Sequence, residues 1–139
     1  MDALELGKVS QILEQLDDQG RHALLALAQK RHVPAGTTIF REGDRGDEFF
    51  VIGKGKVQVT VDDLGQRRDV AQLSHGSIFG EMALLSGGVR SATVVALEET
   101  DLVAFSSAAV EKLLAGYPKA REALHRIGVL RAEQLVESS

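Results

Sequence analysis

The chain contains neither cysteine nor tryptophan among its 139 residues. Without cysteine it can form no disulfide, no thiolate metal site and no cysteine nucleophile, and its composition fits a reducing compartment. The chain also lacks a basic excess, because 16 Lys and Arg residues face 20 Asp and Glu residues, which gives a net charge of −4. Neutralising the phosphates of duplex DNA requires a basic face, so this balance predicts that nucleic acid is not a partner.

Long apolar segments are absent as well. The longest apolar run, Ala23 to Ala28, is far shorter than the roughly 18 residues that a membrane span needs. The first residues, Met1-Asp2-Ala3-Leu4-Glu5, carry acid where a signal peptide carries base, and no apolar core follows them. A chain of this length makes one domain with one core. We therefore expect a single cytoplasmic globular domain over residues 1–139 that makes no membrane contact.

Glycine is concentrated in the middle of the chain. Ten of the 14 glycines lie between Gly36 and Gly88. Because glycine readily adopts positive φ in tight turns, this segment is predicted to form short strands joined by turns, and the glycine-poor flanks are predicted to form helices. The expected organisation is N-terminal helices over 1–33, a β-roll over 34–105 and C-terminal helices over 106–139.

The flanks show helical spacing and capping residues. In the first flank, apolar side chains recur at positions i, i+3, i+4 and i+7, which is one face of a helix: Val9, Ile12, Leu13 and Leu16. Asp17 or Asp18 is predicted to cap a second helix. In the last flank, Ser106 or Ser107 is predicted to cap a short helix, and a longer helix is expected from about 118 to 136.

The middle segment shows two kinds of strand. Residues 49–52 (Phe-Phe-Val-Ile) are apolar on both faces and predict a buried strand, and the five phenylalanines are interpreted as structural. Residues 56–61 alternate between polar residues and valine, and the turn Asp62-Asp63-Leu64-Gly65 follows. With the remaining short segments, about eight antiparallel strands are expected. The predicted fold class is α+β: an antiparallel β-roll, of the double-stranded β-helix or jelly-roll type, with helices at both ends.

The segment from Phe79 to Arg90 carries the chemical signal. A strand is predicted to end at Phe79 and a short helix to run from Glu81 to Ser86, so the first amides of this helix lack internal partners and attract an anion. Gly80 has no side chain to obstruct an anion, and Arg90 adds a cationic fork suited to a phosphate. Glu81 would repel a phosphate, but it can accept a hydrogen bond from a sugar hydroxyl. The pattern predicts a ligand with one phosphate and one sugar hydroxyl close together.

The same segment resembles a known signature. Residues 79–85 (Phe-Gly-Glu-Met-Ala-Leu-Leu) and 90–93 (Arg-Ser-Ala-Thr) match the phosphate-binding cassette of the cyclic nucleotide-binding domain family. Upstream motifs agree with this resemblance: Pro34-Ala35-Gly36, Phe40-Arg41-Glu42-Gly43-Asp44, Asp47 to Ile52 and Gly55-Lys56-Val57. The likeness covers nearly the whole chain. It implies a sensor module like those of the catabolite activator protein, cyclic-nucleotide-dependent kinases and gated channels.

The resemblance implies roles for individual residues. Glu81 would bind the ribose 2′-hydroxyl and Arg90 the cyclic phosphate, and backbone amides would complete the cradle at Gly80, Met82, Ala83 and Ala92. The hydroxyl of Ser91 can contact the purine of a syn base. In the family, threonine at this place often accompanies cGMP preference, whereas serine occurs with cAMP, so cAMP is favoured over cGMP. Family members that have abandoned cyclic nucleotides usually lack the glutamate or the arginine, and this chain has both.

Arg131 lies on the apolar face of the last predicted helix, where a charge is unexpected. Two interpretations are open. The side chain extends past the edge of the core into solvent, or its guanidinium packs on the purine, as an arginine does in some family modules whose last helix covers the base. Elsewhere in the family polar side chains near the helix end reach the base, but that end is Leu135-Val136 here. Val129 and Val136 lie on the opposite face, where they either form a homodimer contact or have no role.

The resemblance implies a sensor without catalytic residues, cofactor or metal, which binds cAMP or cGMP and signals by moving its last helix. Four scattered histidines argue against a metal-dependent jelly-roll enzyme: His22, His32, His75 and His125. A helix-turn-helix would need about 50 further residues, so output is expected through a protein partner or a larger parent protein. The alternative is a protein-interaction scaffold with the same fold and no nucleotide ligand.

Overall fold

The computed structural model describes residues 8–81 and 88–137, with side chains up to residue 129. The eight strands in these residues are β1 (Gln29–Val33), β2 (Thr38–Phe40), β3 (Glu48–Lys54), β4 (Val57–Asp63), β5 (Gln66–Leu73), β6 (Ile78–Phe79), β7 (Thr93–Ala96) and β8 (Thr100–Ser106). The helices are α1 (Ser10–Leu13), α2 (Asp18–Ala26), α3 (Ser107–Leu114) and α4 (Pro118–Glu137). All strand pairs are antiparallel, in two sheets with the orders β1-β8-β3-β6 and β2-β7-β4-β5. The predicted roll of about eight antiparallel strands with flanking helices is confirmed.

The inner faces of the two sheets share one core. Its buried residues come from both sheets: Phe50, Ile52, Val57, Phe79, Val94, Leu102 and Ala104. Val57 is fully buried and Val59 packs against this cluster, as the alternation in β4 predicts. The alternation breaks at Thr60, which is predicted to face outward but is 4% exposed, because the pairing of β4 with β5 shifts register between Val59 and Thr60. The rings of Phe50 and Phe79 stack with their centroids 5.2 Å apart. This pair fixes the end of β6, directly before the segment predicted to bind the ligand.

A second core lies between the helices and the outer face of the sheet that contains β3, β6 and β8. The helices, together with Leu16 between α1 and α2, contribute Ile12, Leu16, Leu24, Val110, Leu114, Ala120, Leu124 and Ile127. Strand β3 enters both cores, because Phe49 and Val51 pack under the helices whereas Phe50 and Ile52 face the other sheet. The prediction that this strand is apolar on both faces is confirmed.

The first strand begins earlier than the sequence predicts. Helices are expected throughout 1–33, but β1 occupies Gln29–Val33 and pairs with β8. The difference arises because β1 is an edge strand on which every residue except the half-buried Val33 is exposed. An exposed polar edge strand shows no apolar alternation, and it becomes a strand only through its pairing with a distant neighbour.

Two helix caps fall on predicted residues. Asp17 caps α2, because its Oδ1 accepts a hydrogen bond from the Gly20 amide at 2.7 Å. Ser106 caps α3, because its Oγ accepts a hydrogen bond from the Ala109 amide at 3.3 Å. The hydroxyl of Tyr117, in the turn between α3 and α4, donates to the same Asp17 oxygen at 2.8 Å. Asp17 therefore connects the N-terminal helices to the turn that leads into α4.

Helix α4 follows the predicted pattern as far as its side chains are described. Ala120, Leu124 and Ile127 are buried, whereas Val129 is 47% exposed. Arg131 belongs to α4, but its side chain lies outside the described residues. No described helix is long and apolar enough to cross a membrane.

The cap at Asp17 predicts a pH dependence of stability. Hydrogen bonds from the Gly20 amide, and after it from the Tyr117 hydroxyl, hold the pKa of Asp17 below its usual 3.8. Such a carboxyl stabilises the fold above its unfolded pKa, and the contribution is lost as the pH falls through the folded pKa. Asp17→Asn should therefore lower the free energy of unfolding at about pH 6, and the difference from the wild type should shrink toward about pH 2–3. Urea denaturation followed by circular dichroism measures both values.

Asp18→Asn is the matched control for this experiment. The Asp18 side chain lies next to the cap, is fully exposed and, among the described residues, pairs only with Arg21, at 3.8 Å. The free energy of unfolding of the Asp18→Asn variant should equal that of the wild type at both pH values. A deficit in Asp17→Asn that is the same at both pH values would contradict the assignment of the cap.

Candidate functional site

Arg90 lies at the entrance to β7, and its backbone is fastened to the loop that precedes β3. The Arg90 amide donates to the Asp44 carbonyl at 2.8 Å, and the Gly43 amide donates to the Arg90 carbonyl at 2.8 Å. The Gly46 amide donates to the Gly88 carbonyl, also at 2.8 Å. These three bonds hold the segment before β7 against the loop, and they fix the point from which the Arg90 side chain extends.

The Arg90 side chain points into the protein, and the residue is only 5% exposed. Its Nη1 donates to the Gly80 carbonyl at 3.1 Å. Its Cζ lies 4.1 Å from the centroid of the Phe40 ring. Its Nε is buried, and no described residue accepts a hydrogen bond from it. A buried guanidinium that still has a donor to offer is suited to binding an anion.

Gly80 is required at this site for two reasons. It directly follows β6, which ends at Phe79 as predicted, and its φ of +86° is a left-handed value that other residues disfavour. A Cβ on Gly80 would also lie 3.0 Å from Nη1 of Arg90 and 3.4 Å from the carbonyl oxygen of Glu48. Because Gly80 has no side chain, the chain can turn away from β6 and Arg90 can approach the Gly80 carbonyl.

Four carboxylates act on the charge of Arg90. Burial lowers the pKa of Arg90, and the carboxylates oppose this shift, in decreasing order Glu48, Asp47, Asp44 and Glu81. An arginine side chain stays protonated at neutral pH in spite of such a shift. The site therefore holds a positive charge in a place with little water, and Glu48 at the start of β3, together with Asp47 and Asp44 in the loop before it, supplies most of the balancing negative charge.

Glu81 is buried as deeply as Arg90. It is 1% exposed and follows Gly80 at the beginning of the segment predicted to be a short helix. A solvent-exposed ion pair would leave both side chains accessible and would contribute little to stability. The structure buries both side chains, and it places the Glu81 carboxylate within electrostatic range of the Arg90 guanidinium.

The remaining predicted site residues are described only in part. Ala92 is 8% exposed and Ser91 is half-buried, and both lead into β7. Met82 and Ala83 lie outside the described residues, and so does the side chain of Arg131. The roles predicted for these five residues stay predictions.

Two residues at this site receive no functional role from the sequence. Phe40, interpreted there as structural, has its ring against the Arg90 guanidinium. Gly46, one of many turn glycines, lies so close that a Cβ on it would be 2.3 Å from Nε and Nη2 of Arg90. An aromatic residue at a strand end and a glycine in a turn are too common to indicate a contact. Only the fold, which joins distant parts of the chain, reveals them.

Comparison with known proteins places this site in a family. Residues 30–117 match the family model of the cyclic nucleotide-binding domain. The cyclic AMP receptor protein of Thermus thermophilus is 38% identical over 115 residues, which cover 82% of this chain and 52% of that protein. A cyclic nucleotide-gated potassium channel of Rhizobium etli is 38% identical over 101 residues, which cover 73% of this chain and 27% of the channel. The crystal structure of the Thermus thermophilus catabolite activator protein matches with a TM-score of 0.78 at 34% identity, covering 92% of this chain and 59% of that one.

The matched segment contains the site. The family model extends from β1 to the turn before α4 and includes Gly80, Glu81 and Arg90. The chain spans about half the length of the receptor protein and about a quarter of the channel, so it matches one part of each. The family match covers well over half of the chain, and the chain belongs to the cyclic nucleotide-binding domain family.

Proposed function

We propose that this chain is a non-catalytic cyclic nucleotide sensor with cAMP as its preferred ligand. One observation carries the proposal: the guanidinium of Arg90 and the carboxylate of Glu81 are both buried beside the backbone of Gly80. Removing an ionised side chain from water costs free energy that must be offset by polar partners or charge. A cyclic phosphate carries negative charge that balances the Arg90 guanidinium, and a ribose hydroxyl donates a hydrogen bond to the Glu81 carboxylate.

The proposed contacts assign the phosphate of the nucleotide to one end of the cassette and the ribose to the other. Arg90 donates to the cyclic phosphate, and no described residue accepts a hydrogen bond from its buried Nε. Glu81 accepts a hydrogen bond from the ribose 2′-hydroxyl. This bond accounts for the burial of a carboxylate beside a site for an anion. Backbone amides complete the phosphate cradle at Gly80, Met82, Ala83 and Ala92.

The base contacts are proposed for Ser91 and Arg131. The Ser91 hydroxyl contacts the purine of a syn base, next to the phosphate that Arg90 binds. Arg131 packs its guanidinium on the same purine from α4. The name of the Thermus thermophilus relative, a cyclic AMP receptor protein, supports cAMP as the ligand.

The signal is proposed to leave through α4. A ligand can bias a helix between two positions only through different affinities for the two states. Contact between the base and α4 supplies such a difference, because it exists only when α4 lies over the site. Residues 1–139 thus act as one sensing domain that needs no metal or cofactor and reports to a protein partner or to further domains of a larger protein.

Isothermal titration calorimetry with cAMP and with cGMP tests the ligand. Protein that has been unfolded and refolded is used, because a nucleotide from the expression host would mask the site. Arg90→Ala should weaken binding about 30- to 4,000-fold, because a charged partner of the phosphate is lost. Glu81→Gln should weaken it about 5- to 150-fold, because the acceptor of a neutral hydroxyl is weakened.

Arg67→Ala is the matched control for these titrations. Arg67 lies on β5 with its side chain 73% exposed, so its loss should leave the dissociation constant unchanged. An Arg90→Ala protein that binds cAMP as tightly as the parent would refute the assigned role. Flat titrations of the folded wild type with both nucleotides would refute the sensor and favour the interaction scaffold.

Hydrogen exchange tests the proposed movement of α4. With cAMP at about 100 times its dissociation constant, amides in residues 118–136 should exchange up to about 100-fold more slowly, because the bound state holds the helix. The exchange is measured by mass spectrometry with and without nucleotide.

Arg90→Ala serves as the negative control in this experiment. Because its affinity is expected to be about 30- to 4,000-fold lower, its amides should exchange at most about 4-fold more slowly at the same nucleotide concentration. Slower exchange around residues 79–93 with no change in residues 118–136 would show that the ligand binds without engaging α4. That result would contradict the proposed signal path and leave the ligand assignment in place.

A further inference from the structure

We propose that Phe40 and Gly46 are positioning residues that hold the Arg90 guanidinium ready for the phosphate before the ligand arrives. This inference rests on the proposed function for the identity of the ligand. The positioning itself is a property of the free protein and can be measured without any nucleotide.

The Phe40 ring is held in place by other rings. Phe40 ends β2, and its ring centroid lies 6.1 Å from that of Phe50 and 5.9 Å from that of Phe79. Phe50 and Phe79 stack on each other in the core between the sheets. The Phe40 ring therefore presents a fixed face, and the Cζ of Arg90 lies 4.1 Å from its centroid. Because the guanidinium is buried, this cation–π contact belongs to the stronger class of such contacts.

Gly46 limits the position of the same guanidinium from another chain segment. A Cβ on Gly46 would lie 2.3 Å from Nε and Nη2 of Arg90 and 2.4 Å from Cζ. The Gly46 backbone cannot retreat freely, because its amide donates to the Gly88 carbonyl and Arg45 forms a β-bridge with Val89. The atoms that a new methyl group would strike are the end of a flexible side chain. Gly46→Ala should therefore move the guanidinium and leave the fold intact.

The carboxylates around Arg90 are the reason such positioning matters. Glu48, Asp47, Asp44 and Glu81 all attract the guanidinium. Both oxygens of Glu48 already accept hydrogen bonds from Arg31, so a loosely held Arg90 side chain would turn toward one of the other three carboxylates. An incoming phosphate would then have to separate an ion pair before it could bind. The fixed aromatic face of Phe40 and the close approach of Gly46 keep the guanidinium where Nη1 reaches the Gly80 carbonyl. Donors that are already placed bind more tightly, because no reorganisation is needed.

The first measurement is heteronuclear NMR of the arginine Nε–Hε groups in nucleotide-free protein. The Arg90 signal is assigned by its disappearance in Arg90→Lys. In the wild type the Phe40 ring current should displace this signal from those of exposed arginines. Phe40→Leu, which keeps apolar volume but removes the ring, should remove the displacement, and Phe40→Tyr should retain it. Gly46→Ala should shift the signal because the guanidinium moves.

The second measurement is cAMP affinity for the same variants. Phe40→Leu should weaken binding about 3- to 30-fold, the range of a cation–π contact, and Phe40→Tyr should bind within about 2-fold of the wild type. Gly46→Ala should weaken binding about 10- to 100-fold, because a binding group displaced by about 1 Å loses most of its effect. Gly53→Ala is the matched control, since its Cβ would meet nothing closer than 3.5 Å. Thermal melts verify that every variant is folded.

The outcomes separate this inference from the proposed function. Phe40→Leu and Gly46→Ala proteins whose Arg90 signal and cAMP affinity both match the wild type would overturn the inference while the sensor stands. Loss of the displaced signal in Phe40→Leu, in a protein whose wild type binds neither cAMP nor cGMP, would support the positioning and overturn the sensor. An equal loss of affinity in Phe40→Leu and Phe40→Tyr would also overturn the inference, because the ring would then not be the cause.

Discussion

The burial of the Arg90 guanidinium is the interaction on which this site depends. A charge moved out of water is costly, and here the compensation is spread over several groups. The Gly80 carbonyl accepts one hydrogen bond at 3.1 Å, the Phe40 ring lies 4.1 Å away, and nearby carboxylates add attraction from a distance. Such an arrangement keeps the cation stable although no described residue accepts a hydrogen bond from its Nε. A ligand phosphate can then accept hydrogen bonds from the guanidinium.

The two-sheet fold brings separate segments of the chain together around the Arg90 guanidinium. Phe40 ends β2 and Arg90 precedes β7 in one sheet, whereas Gly80 follows β6 in the other. The loop before β3 supplies Gly46 and two of the carboxylates, Asp44 and Asp47, and β3 itself begins with a third, Glu48. The site therefore lies where the ends of the two sheets meet, and it forms only when the core between them is packed. Packing of that core is consequently a precondition for the site.

Local patterns in the sequence predict much of this structure, and contacts between distant residues account for the rest. The apolar residues 49–52 and the caps at Asp17 and Ser106 are encoded in short segments, and all are found. The alternation in β4 holds only up to Val59, because a register shift in the pairing with β5 buries Thr60. The cassette is also local, so its residues can be named from the sequence. Strand β1 is polar and exposed, so only its pairing with β8 reveals it. The contacts of Phe40 and Gly46 with Arg90 join positions more than 40 residues apart, and no local pattern encodes them.

Phosphorus NMR of cAMP, titrated with nucleotide-free protein, tests most directly whether the buried Arg90 receives a cyclic phosphate. The phosphate resonance should shift on binding and saturate at about one nucleotide per chain, because the guanidinium contacts the phosphate itself. Arg90→Lys, which keeps the charge but removes the planar fork, should give a smaller shift and weaker binding. A phosphate resonance that stays unchanged in frequency and width beside an excess of folded protein would contradict the assignment of this site.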